Sequence, residues 1–294
     1  MVGVVAPAGA LTEDRLQVGL AILEGWGLAP RLGTSVLARD AYLAGGDDVR
    51  LADLQAVLDD PDVRAVFCAR GGYGSQRIVP QIDWRGFRRA PKAIVGYSDT
   101  TALLSAALAT GVVAVHGPMV ADDMAKGITA RSGMHLHRLL SDPGYLWEVE
   151  LPQVVRPGRA RGRLVGGCLS VLVTLLGTPW APDTDGAILF LEDVNERPFR
   201  LDRLLTQLRQ AGKLDRLAGL VFGAMARCPE VDGLGPRDVV ARCCGSLDIP
   251  VAYGVPSGHD ERDTGCENFA LPLGVEVVLD TTRGRLAALE AAVC

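Results

Sequence analysis

Histidine is scarce in this sequence, and its cysteines lack the spacing of a metal site or a disulfide framework. The 294 residues include four histidines and seven cysteines, with no C-x-x-C pair among the cysteines. No His-Glu-x-x-His spacing occurs either, so we predict no metal ion and no cofactor. An odd number of scattered cysteines indicates reduced thiols, which we expect in a cytoplasmic protein.

A basic surface and a long apolar run are also missing. The formal net charge is −5, which argues against nucleic acid as a partner, because nucleic-acid affinity depends on clustered lysine and arginine. The N-terminal stretch Met1–Ala6 has no basic leader and its apolar run ends at Pro7 and Gly9. We therefore expect no signal peptide, no membrane span, and a peptide or small-molecule substrate.

The patterns that are present alternate between strand and helix. In the first half, apolar runs predict strands and amphipathic runs predict helices over Val2–Ala6, Glu13–Glu24, Asp47–Leu58, Ala65–Ala69, Ala93–Val95 and Thr100–Ala109. This alternation predicts an α/β domain over residues 1–140, with a mainly parallel sheet flanked by helices.

The second half is separated from the first by a stretch rich in turn residues. Proline and glycine in Asp142-Pro143-Gly144 and Arg156-Pro157-Gly158 predict an irregular linker over residues 141–163. Beyond the linker, mixed strand and helix patterns predict an α+β domain over residues 164–294. They cover Leu169–Leu176, Ala187–Leu191, Arg200–Ala211, Gly219–Gly223, Pro250–Gly254 and Val275–Leu279.

Ser98 is the first candidate for chemistry. It follows the apolar strand that ends at Val95 and precedes the helical run, which is where α/β hydrolases expose a nucleophilic serine. Thr100 stands where the G-x-S-x-G motif has its second glycine. The alternative is that Ser98 or Asp99 only caps the helix.

An acid and a base complete the candidates. Glu192 and Asp193 follow a predicted strand, although either residue alone is also explained as a turn residue or as an ion-pair partner of Arg197 or Arg200. His259 follows a strand and precedes a polar loop, so no helical or core pattern explains it. Serine, acid and histidine at three strand ends fit nucleophilic catalysis.

The remaining histidines and the glycine-rich loop have weaker assignments. His116 lies at a strand end, whereas His135 and His137 lie in a polar-flanked segment and are predicted to be exposed. The loop Arg70–Gly74 lacks a Walker lysine, so it is a poor phosphate loop. Its bare backbone N–H groups instead suit an oxyanion hole.

Several blocks in order resemble the LD-carboxypeptidases that act on bacterial murein peptides. The blocks are Val4–Gly9, Ala69–Gly74, Gly96–Asp99, His116–Met119, Leu175–Trp180, Phe190–Glu196, Gly258-His259 and Leu271–Gly274. The resemblance covers almost the whole chain. It implies a serine peptidase that removes a C-terminal D-amino acid, D-alanine of a murein tetrapeptide in cell-wall recycling, with an active site between two domains.

The resemblance also implies roles for single residues. Ser98 corresponds to the nucleophile, Glu192 and His259 to the other two members of the triad, and the backbone amides of Gly72 and Asp99 to the oxyanion hole. It further implies a homodimer. We expect an arginine to bind the terminal carboxylate of the substrate, and the candidates are Arg70 and Arg197, with His116 as a further substrate contact.

The sequence departs from the family pattern at one position and allows two alternative functions. Cys168 follows two glycines where the family usually has asparagine, which puts the finer substrate preference in doubt because sulfur is a weak hydrogen-bonding group. The alternatives are a microcin-immunity type of peptidase that acts on a peptidyl-nucleotide toxin and a non-catalytic peptide-binding protein. An aromatic content of 5% argues against the aromatic base pocket that the first alternative needs.

Overall fold

The computed structural model describes residues 1–262 and 264–293. The first half contains, in chain order, β1 (Val2–Val5), α1 (Glu13–Gly25), β2 (Pro30–Leu32), α2 (Asp47–Asp59), β3 (Ala65–Cys68), α3 (Ser75–Ile78), α4 (Trp84–Arg89), β4 (Ala93–Gly96), α5 (Thr101–Ala109), β5 (Ala114–His116) and α6 (Ala130–Ser141). The short 3₁₀ turn Ser98–Thr100 lies between β4 and α5. Each helix and strand predicted for this half from the sequence is present to within a residue or so.

The second half contains the remaining elements. They are β6 (Glu148–Glu150), β7 (Gln153–Arg156), β8 (Arg159–Cys168), α7 (Leu169–Thr174), β9 (Ile188–Val194), α8 (Pro198–Gln210), β10 (Gly219–Ala226), α9 (Pro236–Cys244), β11 (Val251–Tyr253), β12 (Leu271–Leu273), β13 (Glu276–Asp280) and β14 (Arg285–Ala288). The helix α8 shows why such elements are predictable: Pro198 starts it, and Leu201, Leu205 and Leu208 form one buried face.

The first sheet is almost entirely parallel. Its strand order in the described part of the chain is β12-β5-β4-β3-β1-β2, and only β12 runs antiparallel to its neighbour. Strands β1 and β3 are buried along their whole length, as expected for strands covered by helices on both faces. The chain passes from β1 to β2 on one side and to β3 on the other, so the order reverses between β1 and β3.

The second sheet is mixed, with the order β6-β14-β13-β8-β9-β10-β11-β7 among the described residues. Strands β8, β9, β10 and β11 are parallel, and antiparallel strands extend the sheet at both ends. The two sheets with their helices confirm the predicted combination of an α/β part and an α+β part.

The segment between the halves differs from its prediction. Residues 141–163 were expected to form an irregular linker, but β6, β7 and the start of β8 lie there and pair within the second sheet. The prolines and glycines mark the turns between short strands, which the sequence pattern does not separate from a linker. The division into residues 1–140 and 164–294 remains a proposal, because β12 from the second half pairs with β5 in the first sheet.

The helix α5, which follows Ser98, packs against β8, and this contact brings the halves together. The Thr101 hydroxyl accepts a hydrogen bond from the Cys168 N–H at 3.1 Å. In the parallel register of β8 and β9, Cys168 lies opposite Glu192. The start of α5 is therefore held beside the end of β9, where the predicted acid lies.

Candidate active site

Ser98 lies on a tight turn and is partly exposed. Its φ of +60° places it in the left-handed region, which costs free energy for a residue other than glycine. The turn is held by the Thr100 hydroxyl, which donates to the Tyr97 carbonyl at 2.8 Å. A strained serine between a strand and a helix is the geometry of a nucleophile elbow, so the cap interpretation alone does not account for it.

The three residues predicted to form a triad are hydrogen-bonded to one another. The Nε2 atom of His259 lies 3.2 Å from Ser98 Oγ, and its Nδ1 atom lies 2.7 Å from Glu192 Oε2. The backbone N–H of His259 also donates to Glu192 Oε2 at 3.2 Å. The contact with Glu192 makes Nδ1 the protonated nitrogen, which leaves Nε2 free to accept the serine proton.

The electrostatics of the pair favour this arrangement. Burial tends to raise the pKa of Glu192, but the neighbouring His259 and its hydrogen bonds outweigh burial and lower that pKa. Burial tends to lower the pKa of His259, but the Glu192 carboxylate outweighs it and raises that pKa above the ordinary value of 6.5. Glu192 therefore stays ionised and increases the basicity of His259.

Gly258 lets the acid and the base come this close. Its φ is +103°, and a Cβ atom there would lie 2.5 Å from Glu192 Oε2. Any other residue would therefore push against the carboxylate that orients His259. The Gly258 N–H is itself fixed by Asn268, whose Oδ1 accepts it at 2.9 Å.

The glycine-rich loop lies directly against the serine. A Cβ atom on Gly71 would lie 2.9 Å from the Cβ atom of Ser98, so only glycine allows this approach. The Gly71 carbonyl accepts the Gly9 N–H at 2.9 Å, and because the peptide group is planar and trans, the Gly72 N–H points to the opposite side. The Asp99 N–H lies in the first turn after Ser98, where amides have no intrahelical partner.

Asp99 joins this loop to the serine turn. Its Oδ2 atom accepts the Ser75 N–H at 2.9 Å, and its carbonyl accepts the Ser75 hydroxyl at 2.6 Å. Both groups are buried. The two predicted oxyanion-hole segments are thus fixed relative to one another, as a preorganised site requires.

A second buried network, which no sequence pattern predicts, supports His259. The Tyr97 ring packs edge-on against the His259 ring with centroids 4.9 Å apart. Its hydroxyl donates to Asp123 Oδ1 at 3.2 Å, and Asp123 Oδ2 accepts the Met119 N–H at 3.0 Å. Burial, together with the charge of Asp122, raises the pKa of Asp123 to about 6. Tyr97 and Asp123 follow strand ends, but only the three-dimensional structure links them.

Two of the histidine assignments need correction. His116, expected to contact substrate, is fully buried between Tyr97 and Phe190, so no substrate reaches it. Burial lowers its pKa to about 4, so it stays neutral. His135, expected on the surface, is buried against Phe269 because α6 turns it inward, whereas His137 is half-buried.

Asp193 and Cys168 form a separate cluster beside the contacts of Ser98, His259 and Glu192. Asp193 accepts hydrogen bonds from the N–H and the hydroxyl of Ser170, at 2.8 and 3.2 Å. The Cys168 thiol lies 3.6 Å from Asp193 Oδ1. Burial raises the pKa of this thiol well above its ordinary value, so it is an unreactive neutral group. Asp193 caps α7, and Glu192 alone of the two carboxylates faces His259.

The candidate substrate arginines differ in position. Arg70 is exposed and lines a crevice of about 610 Å³ that Gly72 also lines. Its guanidinium donates to the Ala10 carbonyl. Arg197 is exposed at the start of α8 and does not line this crevice. The structure thus brings Arg70, but not Arg197, to the crevice beside the glycine-rich loop.

Two further properties concern metals and membranes. Within residues 1–262 and 264–293, no three His, Cys, Asp or Glu side chains converge in the way that a bound metal ion requires. Over the same residues, none of the helices combines the length and the hydropathy that crossing a bilayer demands.

Both halves of the chain match domain models of one protein family. Residues 2–117 match the LD-carboxypeptidase N-terminal domain, and residues 161–279 match the LD-carboxypeptidase C-terminal domain. The chain belongs to the LD-carboxypeptidase family. Its blocks around Ser98, Glu192 and His259 all lie within the matched ranges.

Relatives in this family span nearly the whole chain. A Bacillus subtilis protein named "probable murein peptide carboxypeptidase" is 37% identical, over 99% of this chain and 92% of its own length. The murein tetrapeptide carboxypeptidase of Pseudomonas aeruginosa is 34% identical, over 97% and 94% of the two chains.

Solved structures give the same fold. The muramoyltetrapeptide carboxypeptidase of Oxalobacter formigenes superposes with a TM-score of 0.86 at 29% identity, over 97% of this chain and 98% of that one. The microcin C7 self-immunity protein MccF superposes with a TM-score of 0.89 at 22% identity, over 100% and 96% of the chains. The second likeness is one of fold alone.

Proposed function

We propose that this member of the family is a serine carboxypeptidase that hydrolyses the amide bond before the C-terminal D-alanine of a murein tetrapeptide. The observation that carries the proposal is the chain of contacts from Ser98 through His259 to Glu192, at 3.2 and 2.7 Å. The names of relatives that are 37% and 34% identical support the murein peptide as substrate.

The mechanism follows from the protonation states of the three residues. Ser98 Oγ attacks the scissile carbonyl while His259 Nε2 takes its proton, and Glu192 stabilises the resulting imidazolium. The carbonyl oxygen becomes an oxyanion that the Gly72 and Asp99 N–H groups bind. His259 then donates its proton to the amine of D-alanine, which leaves. Water, activated by the same histidine, hydrolyses the acyl-serine and restores the enzyme.

Activity should fall as the pH decreases, because His259 must be neutral to accept the proton. The Glu192 carboxylate raises the pKa of His259 above 6.5, so the inactive protonated form persists to a higher pH than for an ordinary histidine. The acidic limb of a kcat/KM profile should therefore have an apparent pKa above 6.5. A rate independent of pH between about 5 and 8 would point to another base.

The terminal carboxylate of the substrate should be essential if the enzyme is a carboxypeptidase. Amidating the terminal D-alanine of a tetrapeptide should lower kcat/KM by about 100-fold, which is the scale of leaving a charged donor unpaired. Replacing that residue by L-alanine should also slow cleavage, since the carboxylate and the methyl group exchange positions. The rates for the three peptides are measured by chromatography of the products. Equal rates would identify a general amidase or endopeptidase instead.

A non-catalytic peptide-binding protein, the alternative to an enzyme, leads to a different expectation. A peptide-binding protein has no need of a strained serine beside a histidine, whereas φ of +60° at Ser98 costs stability. A reactive-serine probe that labels wild type but not Ser98→Ala would distinguish an enzyme from a binding protein. We also propose a cytoplasmic homodimer, which the family resemblance and the free cysteines support.

A further inference from the structure

The crevice of about 610 Å³ lies at the carboxyl edge of the first sheet. It is built by the loops that follow β1, β2 and β3, together with part of the segment that follows β5. The strand order reverses between β1 and β3, and ligands of open α/β sheets bind at such a reversal. Ser98 follows the parallel strand β4, so it lies at the same edge.

A buried arginine fixes the three loops relative to one another. The Arg50 side chain is fully buried and donates to the carbonyls of Pro7, Gly45 and Gly74, one in each loop. Backbone bonds add to this: the Ala10 N–H donates to the Tyr42 carbonyl at 3.0 Å. The crevice is therefore formed before a ligand enters, which reduces the entropic cost of binding.

The lining is cationic and aromatic. Of its three arginines, Arg15 pairs with Asp122 at 3.1 Å and Arg70 donates to the Ala10 carbonyl. Arg39 is exposed and, within the described residues, makes no ion pair or side-chain hydrogen bond, so its guanidinium is available to an anion. Tyr42 and Tyr73 are 61% and 49% exposed, and their rings lie 6.1 Å apart at the crevice.

Size decides which part of a substrate fits here. A volume of about 610 Å³ suits a ligand of drug size, far larger than the single alanine that leaves. The crevice reaches the nucleophile through Gly72, the neighbour of Gly71, which contacts Ser98. Only the acyl part of the peptide, with its further residues and any attached sugar, is both large enough and joined to the scissile carbonyl.

We infer that this crevice binds the acyl part of the substrate, with a side-branch carboxylate on Arg39 and the apolar face of a residue or sugar on Tyr42 and Tyr73. The inference rests on the proposed carboxypeptidase function. Planar arginine binds a carboxylate through two parallel hydrogen bonds, and tyrosine offers an apolar face with little loss of entropy.

The test compares two tetrapeptides that differ in one charge. One carries D-glutamate at the second residue and so has a free side-branch carboxylate. The other carries D-isoglutamine there, in which this carboxylate is replaced by an amide. Wild type should prefer the acid, and Arg39→Ala should lower kcat/KM for the acid by roughly 10- to 100-fold, mainly through KM, and abolish the preference. Arg39→Lys should retain part of it. Tyr42→Ala should raise KM for both peptides.

Arg64→Ala is the matched control, because Arg64 is exposed and precedes β3 at the opposite edge of the sheet. It removes the same charge and should leave both peptides unaffected. Binding of the tripeptide product to Ser98→Ala protein, with and without Arg39→Ala, is measured by calorimetry. This measurement tests the crevice inference separately from the proposed carboxypeptidase function. If wild type releases no alanine, the proposed function fails, yet this binding still tests the crevice. Equal binding and equal discrimination with and without Arg39 would overturn the inference.

Discussion

Replacing Ser98 or His259 by alanine should lower kcat by about 10⁴-fold or more, and the double variant should lose little beyond either single one. The two side chains meet at 3.2 Å and act on one proton, so removing either removes the same step. Ser98→Ala removes a single oxygen atom from a partly exposed side chain, so it creates no large cavity. Kinetics of alanine release by the three variants measure the effect.

The control for this prediction is the folded state of each variant. Ser98→Ala removes none of the surrounding hydrogen bonds of Asp99 and Thr100. The melting temperature of this variant should therefore match that of wild type to within a few degrees. If the losses in free energy of activation from the two single variants simply add in the double variant, the residues do not act as one unit, and the triad assignment is wrong.

Glu192→Gln should lower kcat by about 10³- to 10⁴-fold and move the acidic limb of the pH profile to lower pH. A neutral amide does not raise the pKa of His259 as the Glu192 carboxylate does. Burial, which lowers that pKa, therefore has the larger effect in the variant. The amide can also present its N–H₂ group to Nδ1 and favour the wrong tautomer. Both consequences arise at the 2.7 Å contact between Glu192 and His259.

Asp193→Asn is the matched control for Glu192→Gln, since the two carboxylates are adjacent and both buried. Asp193 accepts hydrogen bonds from Ser170 and caps α7, so its variant should lose about 1–3 kcal/mol in the free energy of unfolding while kcat stays within about tenfold. If Asp193→Asn were the inactive variant and Glu192→Gln the active one, the acid of the triad would have to be reassigned.

Local patterns made much of the first sheet predictable, and they also pointed to Ser98, Glu192 and His259, whose side chains lie in contact in the structure. An apolar run such as Val2–Val5 predicts a buried strand in an α/β protein. Ser98 stands where a strand turns into a helix, and His259 stands where no core or helical pattern explains it. Their convergence was not readable from periodicity. It depends on the packing of α5 against β8 and on the register that sets Cys168 opposite Glu192.

Contacts between residues that are distant along the chain could not be predicted from the sequence. The strand β12 joins the first sheet from position 271 onward, and the Tyr97 hydroxyl meets Asp123 across two strand ends. His135 looked exposed because its neighbours are polar, but a helix buries one face whatever flanks it, and Phe269 covers that face. The strands within residues 141–163 are too short to show an alternating pattern.

The most direct test of the account is the mass of the products from a defined murein tetrapeptide. Incubation with wild type should convert the tetrapeptide to the tripeptide and free D-alanine, and Ser98→Ala protein at the same concentration should leave it intact. Release of a dipeptide, loss of an N-terminal residue, or an unchanged tetrapeptide with wild type would contradict the assignment of this chain as a serine carboxypeptidase acting on murein peptides.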